Sequence, residues 1–512
     1  MATLMPGDAT TFPLRDPALG GPGLLRRARA LARTDVGVRV GAVALVVIVV
    51  LSALIVIMAA DRPSVLSATT HANFLPRWMA GPLGGLWPGL TRNGTTLRYL
   101  FTGSVAVMYV AYLVGLAYAP RLPTRWVIAT IGTVHGIFFL APPLALTDVF
   151  NYVNYGRMEM VHHLNPYTTI PILEPHSDPS FVLSNWHQLL SPYGPLFTLL
   201  TFAVVPLGVA ASFWALKAIL ALASLGMLML VWRCATLLGR DPLTAIVLVG
   251  LNPIVLVWGL GGDHNDFLML LFIMLAFYLL LLARAREQQA EGAAPSRRPR
   301  LSALVVPEVG AGSALVTAAA IKASAGVLIP VVLVGLLRNR RALGDLILGM
   351  VVAGVVLGLA SLLAFGLHIP DLNTQSRLVT NESIPNLIGL ALGVGGENET
   401  IRVVMSGLLA ASVLGCCWLA WRRRDPITAS GWASVALLVT LSWVLPWYVL
   451  WALPLAALSG SRRLRNTVLV LGAYLIIAWA PASSLLWNAI GFHPEKTSLG
   501  RLHQRYVKEL LN

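Results

Sequence analysis

The segment LALTDVFNYVNYGRMEMVHHLNPYTTIP (144–171) follows an apolar run and concentrates an acid, aromatic rings, an arginine and a histidine pair. If it is helical from Asp148, then Asp148, Asn151, Tyr152 and Tyr155 share a face by their i, i+3, i+4, i+7 spacing. A carboxylate held there could take a proton from a substrate hydroxyl. Asp148 or Thr147 would equally serve as a helix cap, and tyrosine is common at membrane interfaces. Further along stand Arg157, His162, His163, an Asn165-Pro166 turn and Tyr167. Adjacent histidines point in different directions on a helix, and no carboxylate has matching spacing, so no metal is expected. A second cluster, GLGGDHNDF (259–267), sets Asp263, His264, Asn265 and Asp266 beside paired glycines. A plain turn does not need two acids and a histidine together, and the glycines would let a ligand approach the backbone.

Three other positions stand out. Tyr193 lies in the proline-bracketed SPYGP (191–195), and Trp447 and Tyr448 form a PWY corner. Lys322 is a lone cation in the apolar AIKASAG (320–326). An ionisable group at membrane depth is costly and marks function by default, although lysine also reaches water by snorkelling. There is neither a P-loop nor a GxGxxG after a strand, so no cytosolic nucleotide site is expected, and the donor of any enzyme built this way would be lipid-borne.

These residues need a scaffold. The chain has 512 residues, 57% hydrophobic and 12% charged, with a mean hydropathy of +0.74. Its apolar runs are continuous and near bilayer length, which selects a polytopic, all-α membrane protein. The net charge is +15. The basic residues lie in short clusters between apolar runs, the positive-inside pattern, so nucleic acid is not an expected partner. Cys234, Cys416 and Cys417 lack metal-ligand spacing and read as reduced and structural.

The basic clusters order the spans. Residues 1–40 carry Arg26, Arg27, Arg29, Arg33 and Arg39 and no cleavable signal pattern, and read as a cytosolic tail. Spans are expected at 41–60, 98–118, 126–146, 211–236, 243–259, 265–284, 345–367, 401–421, 427–444, 448–460 and 466–484, with a hairpin of short helices at 302–320 and 323–337 that carries Lys322 at its outer tip. That is about 13 spans at roughly 20 residues each. Residues 194–209 are short and start and end near prolines, and read as a helix dipping into the outer interface. The transmembrane domain covers 41–484, with external loops at 148–210, 260–266 and 368–400, and an external tail at 485–512. This topology puts Asp148, Arg157, His162, His163, Asp263, His264, Asp266, Lys322 and Arg377 on one side. A secondary transporter or lipid flippase would instead place its ionisable groups at mid-membrane, within broken helices.

Taken in order, Asp148, Gly156-Arg157, Asn165-Pro166-Tyr167, PYGP, LNPIVLVWGLGGDHNDFLM and IKASAGVLIP resemble the integral-membrane GT-C glycosyltransferases. The actinobacterial α-1,6-mannosyltransferases that use polyprenyl-phosphate-mannose to extend lipomannan are the most similar group. The match runs over about residues 95–460. The resemblance implies a GT-C fold and inverting transfer of mannose to a lipoglycan hydroxyl on the outer face of the plasma membrane. It makes Asp148 the catalytic base and Asp263, His264 and Asp266 a second acidic site, with no metal cofactor. Related subgroups use other prenyl-phosphate sugars such as arabinofuranose. Charge on the departing lipid phosphate would fall to Lys322, Arg157 or Arg377. Tyr152, Tyr155, Tyr193, Trp447 and Tyr448 suit sugar contacts, and Asn151, Asn165, Tyr167 and Asn265 complete the expected substrate-binding set.

Overall fold

The computed structural model describes residues 35–61, 76–87, 89, 93–144, 147–291 and 306–511. Most of the expected cytosolic tail, and residues 292–300 of the basic linker, lie outside that set. The described residues form helices joined by turns and loops, with no strand among them.

Six helices are long and apolar enough to cross a membrane, each of 24 to 29 residues. The protein is therefore polytopic. With the labels used below, α1 is Asp35–Ala60, α2 Gly94–Tyr118, α3 Thr124–Phe139, α4 Asp148–His162 and α5 Pro195–Val204. Next come α6 Val209–Leu237, α7 Pro242–Gly250, α8 Asp266–Glu291, α9 Pro307–Ile321 and α10 Leu328–Gly335. The last five are α11 Arg340–Phe365, α12 Glu399–Arg423, α13 Pro426–Thr440, α14 Arg462–Trp479 and α15 Ser498–Leu511. The long ones are α1, α2, α6, α8, α11 and α12.

Several expected spans are shorter or broken. Among the described residues of the 126–146 run, the helix ends at Phe139, the last of the 16 residues of α3. The 243–259 run ends its α-helix at Gly250, turns at Asn252-Pro253, and resumes as a π-helix over Val255–Leu260. Pro253 explains the break, because it has no N–H to donate and its ring clashes with the preceding turn. Irregular backbone at membrane depth is tolerated where protein buries it, and every residue from Leu251 to Leu260 is buried. The 448–460 run is a 3₁₀ turn, Pro446–Trp451, followed by the six-residue helix Leu453–Leu458. After Trp479 the chain bends by 83° into Ser483–Ala489. Helix α5 spans ten residues and ends in the turn Val205–Leu207, too short to cross, as its prolines suggested.

The arms of the expected Lys322 hairpin diverge. Helix α9 packs between α8 and α11, whereas α10 packs on α12 and α13. Helix α11 presents Val351, Val352, Val355, Val356, Leu359 and Leu363 outward, which is the surface a lipid phase would cover. The packed interior runs through α6, α7, the π-helix and α8, whose apolar side chains form one continuous cluster.

Two of the cavities among the described residues have lining residues of contrasting character. One, of about 530 Å³, is lined by Arg240, Arg284, Arg338, Arg423 and Arg424, residues that the basic clusters assign to a single side. The other, of about 360 Å³, is lined by Asp148, Tyr193, Lys322 and Trp447, all assigned to the opposite side.

Candidate active site

Asp148 is the first residue of α4. Thr147 occupies the cap position and makes no side-chain cap bond. The Asp148 carboxylate, 17% exposed, lies 3.4 Å from the Nδ1 of His264. It is thus not consumed as a helix cap and faces the cavity. His264 in turn lies flat on Trp447, with ring centroids 3.5 Å apart and planes 9° apart. Gly262 makes this possible. A Cβ there would sit 2.5 Å from His264 Nε2 and 2.3 Å from the Trp258 carbonyl. Gly262 therefore makes room for the histidine ring, while Gly261 makes room for the Val257 carbonyl and the Leu144 side chain.

The acids of the second cluster point in different directions. Asp263 takes a left-handed conformation, φ 57°, which aspartate tolerates better than most residues. Its carboxylate meets Lys217 Nζ at 3.0 and 3.1 Å, and that ammonium also donates to the Ala141 carbonyl at 2.9 Å. Burial pushes the Asp263 carboxyl up to about 6, against the opposing pull of Lys217. Lys217 is itself buried within α6. The pair ties the GGDHND turn to α6 and to the end of α3. Asp266 opens α8 and accepts from Lys322 Nζ at 3.0 and 2.8 Å, and from the Trp451 indole N–H.

Lys322 is therefore not the free cation its sequence context suggested. Its ammonium is paired with buried Asp266 and lies over the Tyr448 and Trp451 rings, 5.1 and 5.5 Å from their centroids. It still reaches the cavity, and is the one cation lining it among the described residues. The backbone before it is locked to the SPYGP turn. Gly194 N–H donates to the Ile321 carbonyl at 3.0 Å, and a Cβ on Gly194 would come within 2.2 Å of the Ala320 carbonyl oxygen. Tyr193 and Lys322 are thereby set side by side on the wall. Burial, together with the nearby Asp148 charge, keeps the Tyr193 hydroxyl well above the ordinary tyrosine range, so it stays protonated and able to donate.

Of the residues singled out in the sequence, Asp148, Tyr155, Tyr193, Lys322, Trp447 and Tyr448 line the cavity. His264 and Asp266 stand directly behind it. Tyr152 packs edge-on against Tyr193, 4.8 Å between centroids, and its hydroxyl accepts from the Asn265 N–H. Asn151 is fully buried and accepts from the Asn185 N–H.

The remaining sites are turned to other tasks. Arg157 grips Asp178 through Nε at 2.9 Å and Nη2 at 2.9 Å, and His162 contacts the same carboxylate at 2.8 Å. Burial opposes that charge, but Arg157, Ser180 and His162 more than offset it and hold the Asp178 carboxyl well below its usual range. Arg157 is thus paired with Asp178, and it does not line the cavity that holds Asp148. His163 ends α4 in the left-handed conformation. Asn165 donates to the Phe365 carbonyl at 2.9 Å, and the Tyr167 hydroxyl donates to the Tyr193 carbonyl at 2.8 Å. Arg377 is exposed, while its neighbours Gln375, Ser376 and Leu378 line the cavity.

Comparison with known proteins gives the family. Residues 38–338 match the profile of the alpha-(1->6)-mannopyranosyltransferase N-terminal domain. The chain belongs to this mannosyltransferase family. Residues 382–493 match the MptB C-terminal domain. The chain is similar to alpha-(1->6)-mannopyranosyltransferase A of Mycobacterium tuberculosis, 28% identical over 68% of this chain and 69% of that one. It is also similar to alpha-(1->6)-mannopyranosyltransferase A of Corynebacterium glutamicum, 25% identical over 66% of this chain and 76% of that one. No solved structure matches it significantly.

In this member of the family, the sequence left several cavity residues unmarked. Trp186, Trp443 and Trp451 line it, as do Gln375 and Ser376. Tryptophans are spread through the whole apolar chain, so nothing local set these apart. Lys217 did carry a signal, as a single cation within the apolar run VAASFWALKAILALAS.

Proposed function

We propose that the protein transfers mannose from a polyprenyl-phosphate-mannose to a hydroxyl of a mannan or lipoglycan acceptor at the outer face of the plasma membrane. The observation that carries this reading is the pairing of an uncapped acid with a single cation across one aromatic cavity. Asp148 and Lys322 face the same space, between the rings of Tyr193, Trp447 and Tyr448. The relatives named as alpha-(1->6)-mannopyranosyltransferases supply the sugar and the linkage.

In this chemistry the acceptor oxygen attacks the anomeric carbon as Asp148 takes its proton, and the configuration at that carbon inverts. The bond from that carbon to the phosphate oxygen breaks, and the leaving prenyl phosphate gains negative charge. An ammonium at that depth stabilises the charge where it develops. Lys322 meets the lipid phosphate here in place of a metal ion, and Asp266 fixes its position. His264, held against Trp447, orients the Asp148 carboxylate. The Asp148 cavity is lined by residues that the basic clusters assign to the outer side, and the other cavity by arginines that the positive-inside rule makes cytosolic.

The test is a transfer assay on membranes containing the protein, offered prenyl-phosphate-mannose, prenyl-phosphate-arabinofuranose or a nucleotide sugar in turn. Label should enter a mannan acceptor from the first donor only. Label from the arabinose donor, or from the nucleotide sugar alone, would overturn the assignment.

A further inference from the structure

A second cavity, of about 450 Å³, lies beside the first and shares one residue with it, Trp443. That size falls in the range of small-ligand sites, ~300–1,000 Å³. Three indole rings line it: Trp443, Trp479 and Trp487. Asn381, Gln504 and Lys508 also line it, and their side chains make no hydrogen bond or ion pair to other described residues. Glu382 adds a carboxylate opposite that lysine's charge, so the lining does not favour a polyanion.

One wall is the C-terminal helix α15, and its attachment is specific. The Leu510 carbonyl accepts from the Gln188 N–H at 3.0 Å, and the Tyr506 hydroxyl donates to the Thr374 carbonyl at 3.3 Å. Leu510 packs on Leu189 and Leu378, which line the first cavity. Trp443 itself stands edge-on to Trp186, 6.1 Å between centroids. The helix thus braces both cavities at the point where they meet.

We infer that this second cavity binds the body of a neutral oligohexose acceptor, whose terminal sugar passes Trp443 to reach Asp148. Flat indole faces suit the C–H faces of pyranose rings, and short polar ends suit their hydroxyls. The proposal rests on the transferase reading above. A polymer acceptor must leave the reaction cavity along some path, and the cavity that shares Trp443 with it is lined by indole rings and polar side chains.

The experiment uses the full-length protein in lipid nanodiscs, with α-1,6-linked mannobiose and mannotetraose as probes. Calorimetric titration should show the tetraose binding more tightly than the biose. Trp487→Ala should weaken tetraose binding about fivefold to tenfold, the scale of one aromatic contact, and the biose less than twofold. Trp487→Phe should restore most of it. In transfer kinetics the same variant should raise the tetraose KM by a similar factor and leave the donor KM in place. Equal affinity for the two mannosides, or an equal effect of Trp487→Ala on both, would overturn the subsite. If tetraose binds with this Trp487 dependence but no sugar is transferred, the subsite stands and the transferase reading falls.

Discussion

Lys322 shows how a partner changes the meaning of a charge. In sequence it is an isolated cation, and in the fold it completes an ion pair with Asp266 while still touching the cavity. Lys322→Met keeps the apolar stem and deletes the charge. It should lower kcat/KM for the donor by the worth of one or two charge-assisted contacts, on the order of 1.5–3 kcal/mol, with Lys322→Arg recovering part. Unchanged donor kinetics in Lys322→Met would make the residue a structural partner of Asp266 alone. His264 gives a companion case. Its neighbour Gly262 leaves no room for a methyl group, so Gly262→Ala should displace the ring and reduce turnover even though the acid itself is untouched. Asp148, His264 and Asp266 were visible in the sequence because acids and histidine are out of place in so apolar a chain. Their partners were not, because the pairings Asp263–Lys217 and Asp266–Lys322 join residues 46 and 56 positions apart.

The turn 261–266 and the loop after α4 are each held by buried charge. Removing one partner of a buried pair typically costs ~3–5 kcal/mol, so Lys217→Met should destabilise the protein on that scale. Lys217→Met combined with Asp263→Asn should recover much of the loss, because asparagine also tolerates the left-handed turn. A thermal shift in detergent checks both. The loop after α4 adds a pH dependence through Glu174, which accepts from the Asn154 amide and whose second oxygen has no hydrogen-bond partner among the described residues. Burial raises its carboxyl from 4.5 to about 7, so the folded protein holds the proton more tightly than the unfolded chain does. That contribution is fully present below about pH 4.5 and is lost as pH rises through about 7. Glu174→Gln should flatten the melting temperature across that window and raise it at pH 8, and an unaltered pH profile would refute the assignment. The proline-rich breaks were partly legible. Short α5 followed from its flanking prolines, whereas the π-helix 255–260 did not follow from Pro253, because tertiary packing rather than local preference supports it.

The division of the molecule into two faces came from counting arginines, and the structure gathers those arginines around one cavity and the candidate catalytic residues around another. Against about 13 expected spans, six helices among the described residues are long and apolar enough to cross a membrane on their own. Runs such as 126–146 and 448–460 are apolar enough to cross, but apolarity alone does not distinguish a crossing helix from a short one buried among its neighbours. Single-cysteine labelling in a background lacking Cys234, Cys416 and Cys417 tests the sidedness. A cysteine at His176 should react with an impermeant reagent added outside, and one at Ala290 only when the inner face is open; the reverse pattern would place the reaction on the cytosolic side. The most direct test of the central claim is the turnover of Asp148→Asn, measured with saturating prenyl-phosphate-mannose and mannotetraose on protein shown to insert and melt as the wild type does. With Asp148 as the base, kcat falls by at least ~10²–10⁴-fold while donor binding persists. Turnover within a few-fold of wild type would contradict the role assigned to Asp148 and the mechanism built on it.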